Sequence, residues 1–325
     1  MPERVAAVVV THNRRQLLTQ CLAALLAQSR PLEGVIVVDN ASSDGTPELL
    51  RERGFIDHGL LQYLRLDRNL GGAGGFRRGL QVAHEGGFDW TWLMDDDAEP
   101  SLAALDLLSP AFLLSDAVAA ASLPIDETGR PQYHHRGWGR LCDLDPAVVR
   151  GVSDRDLQPE FVEIDQASFV GLAVSRRAVE AVGLPLAEFF LHHDDFEYCR
   201  RIRRVGRIWL ATRSLIKHAE RQREDAYAVF ALGRPSSRLP LDRLWLAYYS
   251  LRNSVWLKRQ SCSPLSTLAF AAKFVVRKWL GILLYDDHKP RRMNFYLQSA
   301  LDGWRGRFDN EKPKRILGIG GALPG

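Results

Sequence analysis

Three carboxylates stand side by side at Asp95, Asp96 and Asp97, directly after the apolar run WTWLM at 90–94. Five residues this rich in aromatic and apolar side chains read as a buried strand. Such a strand delivers a dense negative charge to one edge of a sheet. Like charges this close repel, and a cation relieves the cost. Oxygen ligands suit Mg²⁺ or Mn²⁺, ions that hold the phosphates of a substrate. The competing reading is a solvated acidic turn. A second acidic pair, Asp194 and Asp195, follows FFLHH at 189–193 and opens a helical pattern. Acidic residues in a first helical turn are ordinary partners of the helix dipole, so this pair alone carries no assignment.

The elements that must position these groups alternate. Residues 5–10 are a short β-branched run that stops at the polar turn Thr11, His12, Asn13, Arg14. Leu17, Leu18, Cys21, Leu22, Leu25 and Leu26 then repeat at helical spacing. A second apolar strand, 35–38, ends at Asp39 and Asn40, and Thr46 is placed to cap a helix beginning at Pro47. The third strand covers 61–66, and a glycine-rich turn, NLGGAGGF at 69–76, leads into the next helix. The fourth strand carries the aspartates, with Trp90 and Trp92 read as core. Continuous apolar strands alternating with helices predict an α/β fold with a mainly parallel sheet covered on both faces. Ligands of such sheets bind beyond the carboxyl ends of the strands, where Thr11, Asp39, the 67–69 turn and the aspartates all fall. The glycine run differs in position and spacing from a dinucleotide fingerprint and lacks the Lys-Ser/Thr of a P-loop.

The order and spacing of THNR at 11–14, VVDNASSDGT at 37–46, NLGG at 69–72 and the aspartate cluster resemble the nucleotide-sugar domain of inverting family 2 glycosyltransferases, of the GT-A fold. RNLGGAGGF at 68–76 followed by DWTWLMDDD at 89–97 is similar to the actinobacterial galactan galactofuranosyltransferases, of the shorter, initiating type. The resemblance covers roughly residues 1–223. It implies a metal-dependent, inverting transfer of galactofuranose from UDP-galactofuranose to a polyprenyl-diphosphate-linked acceptor. It allots Asp95 and Asp97 to the metal, Mn²⁺ or Mg²⁺, and Asp96 to support of the donor. Asp39 is expected to accept the uracil imide N–H, Thr11 to hold the base or ribose, and Arg68, Asn69, Gly71 and Gly72 to line the nucleotide-sugar. The general base falls on Asp194, with Asp195 the second candidate, since other family members use the second position of the pair. That chemistry needs one ionised carboxylate within reach of the acceptor hydroxyl. His218, after the apolar segment 208–211, is expected to complete the metal shell. His192 and His193 are placed at the acceptor, and His134 and His135 near Trp138 at the edge of its cleft. YYSLRN at 248–253 resembles a segment that follows the catalytic domain in rhamnosyl- and galactofuranosyltransferases, so Arg252 either meets an acceptor diphosphate or anchors its helix.

Composition bounds the setting. The net charge is +4 over 325 residues, but residues 1–225 carry 26 Lys and Arg against 33 Asp and Glu, a net of −7, while residues 226–325 carry 17 against 6, a net of +11. This predicts a catalytic domain at 1–225 and a basic, mainly helical region at 226–325, with the 233–237 stretch as linker. The apolar segment 265–285 is interrupted by Lys273, Arg277 and Lys278, which makes it a poor membrane span. It reads either as an in-plane helix on an anionic bilayer, with Phe274 and Trp279 toward lipid, or as a packed helix with a solvated basic face. No nucleic-acid partner is expected. Cys21, Cys142, Cys199 and Cys262 lack metal spacing and suit a reducing cytoplasm. The first apolar run is too short for a signal peptide, and the expected location is peripheral, on the inner face of the plasma membrane. The glycine-rich end, 317–325, reads as unordered. Two rival functions stay open at this point: a dTDP-rhamnose-dependent rhamnosyltransferase, and a noncatalytic module binding anionic lipid or glycan.

Overall fold

In the computed structural model the described residues are 3–139, 149–219, 227–231 and 234–319; Cys142 and the last residues of the chain lie outside them. The N-terminal alternation runs β1 (Val5–Thr11), α1 (Arg15–Leu26), β2 (Gly34–Asp39), α2 (Thr46–Glu52), β3 (Leu61–Arg65), α3 (Gly71–Glu85) and β4 (Trp90–Asp95). Then follow β5 (Ala98–Pro100), α4 (Ala104–Leu108), β6 (Ala117–Ile125), β7 (Arg136–Gly139), β8 (Val149–Gly151), β9 (Phe161–Ile164), β10 (Gln166–Ala167), β11 (Leu172–Ser175), α5 (Arg176–Val182), α6 (Asp194–Ile202) and β12 (Arg207–His218). A hairpin, β13 (Tyr227–Ala231) and β14 (Arg234–Arg238), precedes four helices: α7 (Leu246–Ser261), α8 (Pro264–Tyr285), α9 (Lys289–Arg305) and α10 (Lys312–Leu317).

One nine-stranded sheet has the order β3-β2-β1-β4-β11-β6-β12-β5, with β9 also paired to β12. β1 to β4 are parallel, and their register sets Thr11 beside Asp39 and Val10 beside Asp95, so these groups share one edge. β6 and β12 run the same way, while β11, β5 and β9 run against them. The direction of β11 follows from its approach. The chain leaves β6 at the carboxyl edge, builds the small sheet β10-β7-β8, and re-enters without a crossover helix, which a parallel strand would need.

Strand alternation divides the core. Ala6, Val8 and Val10 face a layer with Phe76 and Leu80 of α3 and Tyr198 of α6. Val5, Ala7 and Val9 face Leu18, Leu22 and Leu25 of α1. Trp92 is fully buried, and Trp90 stacks on Phe112 with centroids 4.0 Å apart. A Cβ on Gly79 would meet Val8 at 2.3 Å, so glycine there lets α3 lie directly on β1.

Four local expectations need correction. Gly45, in a left-handed conformation, precedes α2; Thr46 is already helical and its hydroxyl donates to Asp44. The predicted linker is instead a strand, since 234–238 pairs with β13; Gly233 lies outside the described residues. Leu317 is buried as the end of α10. Phe274 and Trp279 pack inward among the C-terminal helices, and the Trp279 indole donates to the Met293 carbonyl. The outward face of α8 instead carries Leu265, Leu268, Val276, Leu280, Leu283 and Leu284, all at least half exposed. No helix among the described residues is long and apolar enough to cross a membrane.

Candidate active site

Three of the expected groups converge at the carboxyl edge. Asp95 ends β4, Asp97 closes the two-residue turn after it, and His218 ends β12, whose pairing with β5 sets His218 opposite Ala98. Donor atoms of Asp95, Asp97 and His218 all lie within 4.8 Å of one another. His218 Nε2 is 3.5 Å from Asp97 Oδ1. That oxygen is buried and has no hydrogen-bond partner among the described residues. A buried, unpaired carboxylate oxygen facing an imidazole nitrogen is costly as it stands and is satisfied by a cation. Two carboxylates and an imidazole therefore fit a divalent metal.

Neighbouring contacts prepare this cluster. Gln132 grips His218 twice: its Oε1 is 2.8 Å from Nδ1, and its Nε2 donates to the His218 carbonyl at 3.2 Å. An Nδ1–H donated to Gln132 leaves the Nε2 lone pair turned to the carboxylates. The His135 ring meets the His218 ring edge-on at 5.0 Å, and its Nδ1 pairs with Ser168 Oγ. Burial, then the charge of Arg136, pushes His135 down to about 2, so it stays neutral. His134 is exposed. Arg14 Nη1 donates to Asp97 Oδ2 at 2.7 Å and to Asp96 Oδ1 at 3.0 Å.

The three carboxylates titrate apart. Burial, with repulsion from Asp97 and Asp96, raises Asp95 to about 7. Burial raises Asp96 to about 6 against the pull of Arg14. Burial also acts upward on Asp97, but the adjacent His218 ring and the charge of Arg14 outweigh it and hold Asp97 below the ordinary range.

The expected nucleotide residues sit along the same edge with their polar atoms engaged. The Thr11 hydroxyl, expected at the base or ribose, donates to Asp96 Oδ2 at 2.7 Å. Asp39 is fully buried; it accepts the Ser42 N–H at 2.8 Å and the Tyr63 hydroxyl. Each Asp39 oxygen thus already accepts one hydrogen bond within the protein. Asn69 Oδ1 accepts the Gly71 N–H at 2.7 Å, while Arg68 is exposed. Gly71 has φ +72°, and a Cβ there would lie 2.1 Å from the Phe190 carbonyl oxygen, so only glycine fits; Gly72 lies beside Leu191.

Asp194 and Asp195 open α6. Burial, repulsion from Asp195 and a further push from Asp95 raise Asp194 well above the carboxylate range. Asp195 accepts its neighbour's Phe196 N–H at 2.7 Å; burial raises it to about 6, with Arg136 pulling the other way. His192 is exposed, and His193 Nε2 pairs with Ser254 Oγ at 2.9 Å. Arg252, considered for a diphosphate, is fully buried and donates to the Glu188 and Phe189 carbonyls, which is the anchoring arrangement. Arg14, Gln132, Asn253 and Ser254 had no assigned role in the sequence. Arg14 and Asn253 sit inside quoted motifs, whereas nothing local marks Gln132 or Ser254.

The glycosyl transferase family 2 model matches residues 6–162. Galactofuranosyltransferase GlfT1 of Mycolicibacterium smegmatis is 37% identical over 210 residues, covering 63% of this chain and 67% of that protein. The Mycobacterium tuberculosis protein of the same name is 33% identical over 210 residues, covering 63% and 66%. The match thus spans about two thirds of these relatives' length. Among solved structures, GalNAc-T7 with UDP, GalNAc and Mn²⁺ superposes with a TM-score of 0.61 at 14% identity, covering 92% of this chain and 54% of that one. The mannosyltransferase PcManGT of Pyrobaculum calidifontis, with GDP-Man and Mn²⁺, gives 0.53 at 16% identity, covering 94% and 88%. At these identities the superpositions establish the fold, a GT-A glycosyltransferase fold.

Proposed function

Because this chain belongs to glycosyltransferase family 2 and is a glycosyltransferase, we propose that it transfers galactofuranose, with inversion, from UDP-galactofuranose to a polyprenyl-diphosphate-linked glycan in cell-wall galactan synthesis. The observation that carries this reading is the Asp95, Asp97 and His218 cluster at the carboxyl edge of the sheet, with the buried Asp194 opening α6 as the candidate base. The likeness to galactofuranosyltransferases supports the choice of sugar.

Asp194, ionised, accepts the proton of the acceptor hydroxyl as that oxygen attacks the anomeric carbon. The bond from that carbon to the diphosphate breaks on the opposite face, and UDP departs. A bound Mn²⁺ or Mg²⁺, held by Asp95, Asp97 and His218, supplies Lewis-acid stabilisation to the leaving diphosphate. Asp96 is held by Thr11 and Arg14, beside the metal ligands, where it supports the donor. Asp39 pairs with the uracil imide. Asn69, Gly71 and Gly72 shape the backbone that the sugar-diphosphate lies against, with the exposed Arg68 beside them at the nucleotide. His192 and His193 border the acceptor. Family membership sets aside the noncatalytic reading. Within the basic C-terminal region, the exposed leucine row of α8, with Lys273 and Arg277 also exposed on that helix, suits an anionic membrane surface where a lipid-linked acceptor resides. Transfer from UDP-galactofuranose to a rhamnosyl-terminated polyprenyl-diphosphate acceptor, followed by product mass, tests the proposal.

A further inference from the structure

The segment that presents Asp194 is held in a conformation it would not adopt unaided. Phe190, His192 and His193 have φ of 64°, 67° and 64°. Three positive-φ non-glycine residues among four persist only where the surroundings over-determine them.

Two neighbours supply that constraint. On one side lies α7. Asn253 Nδ2 donates to the carbonyls of Phe189, Leu191 and His192 at 3.1, 3.0 and 2.8 Å. Arg252 Nη2 donates to the carbonyls of Glu188 and Phe189 at 3.0 and 2.9 Å. Ser254 Oγ pairs with the His193 ring at 2.9 Å. Asn253 is fully buried, and its Oδ1 accepts from Arg252 Nε at 2.9 Å, which fixes the amide with its NH₂ toward the loop. On the other side lies the glycine-rich start of α3, where the Ala73 N–H donates to the Phe190 carbonyl at 3.1 Å.

We infer that Asn253 is a positioning residue for catalysis: through three carbonyls of the 189–192 segment, with Arg252 and Ser254 beside it, it sets where α6 presents the Asp194 carboxylate. The inference rests on the reading of Asp194 as general base. It makes the helical C-terminal region part of the catalytic apparatus, because the backbone that orients the base is gripped from α7 rather than from the sheet. Misplacement of a reacting group by a small distance lowers turnover more than binding. Asn253 touches neither the metal-fit cluster nor the residues assigned to the nucleotide, so donor affinity is expected to survive its loss.

The test is a double-mutant cycle on the full chain with Mn²⁺. Asn253→Ala should lower kcat by about tenfold or more, with donor KM and UDP affinity within about twofold of wild type. Asp194→Asn/Asn253→Ala should be no slower than Asp194→Asn alone, the non-additivity of groups that act as a unit. Should Asn253→Ala fail to fold, Ser254→Ala, which removes a single contact, carries the same cycle with a smaller loss. Wild-type kcat in the folded variant, or losses that simply multiply with those of Asp194→Asn, would overturn the inference. A near wild-type rate for Asp194→Asn alone would instead refute the base assignment, and that single variant reports it separately.

Discussion

Nε2 of His218 faces Oδ1 of Asp97 across 3.5 Å, and that oxygen has no hydrogen-bond partner among the described residues. The two residues are 121 positions apart, and the end of β12 brings them together against the turn after β4. Excess chelator should therefore abolish transfer, and Mn²⁺ or Mg²⁺ should restore it. Asp97→Asn and His218→Ala should each weaken Mn²⁺ binding in titration calorimetry. Full activity in excess chelator contradicts the metal assignment.

Gln132 clamps His218 at its ring and at its carbonyl. Gln132→Ala should lower Mn²⁺ affinity by about 10- to 100-fold, the usual effect of losing such a partner. The folded state should persist in circular dichroism. Unchanged Mn²⁺ affinity would show that the clamp does not govern the imidazole.

For the base, Asp194→Asn should cut kcat by roughly two or more decades while UDP still binds. If Asp195→Asn gives the deep loss and Asp194→Asn a mild one, the roles are exchanged. Burial raises Asp194 first of all, so kcat/KM should fall as pH drops through a value above the ordinary carboxylate range. A profile flat down to about pH 4, the unperturbed value for aspartate, contradicts this.

The same shift makes a stability statement. A carboxyl whose folded pKa exceeds its unfolded pKa contributes stability below the unfolded value, and that contribution is lost as pH rises through the folded value. At neutral pH the Asp194 carboxylate is thus a strain on the fold. Thermal unfolding of metal-free Asp194→Asn at pH 7 should give a higher Tm than wild type, with the difference shrinking toward pH 4. A lower Tm at pH 7 would mean that Asp194 is held by favourable contacts instead.

Much of this was legible in the residues. The runs at 5–10, 35–38 and 90–94 announced buried strands because fully covered parallel strands have no polar face, and the aspartate cluster marked the edge where chemistry collects. Gln132 was not legible, because its role depends on a pairing with His218 that no local pattern encodes. The direction of β11 was hidden for the same reason. Composition left Phe274 and Trp279 open to lipid or to packing; α9 packs against that face of α8 and leaves the leucines outside.

That leucine row carries its own prediction. Wild-type protein should bind vesicles containing anionic lipid, and salt should weaken the binding. Lys273→Glu with Arg277→Glu should lower vesicle affinity by about fivefold or more per charge, yet spare transfer to a short soluble acceptor. Indifference of the wild-type protein to anionic vesicles at low salt contradicts a membrane-facing α8.

Donor choice tests the central claim most directly. Purified protein with Mn²⁺ and a rhamnosyl-terminated polyprenyl-diphosphate acceptor is offered UDP-galactofuranose and dTDP-rhamnose in parallel. Nucleotide release and product mass are then measured. Galactofuranosyl transfer predicts UDP release and addition of one or more hexose units with the first donor, and no turnover with the second. Release of dTDP with addition of a deoxyhexose, and none with UDP-galactofuranose, would contradict it.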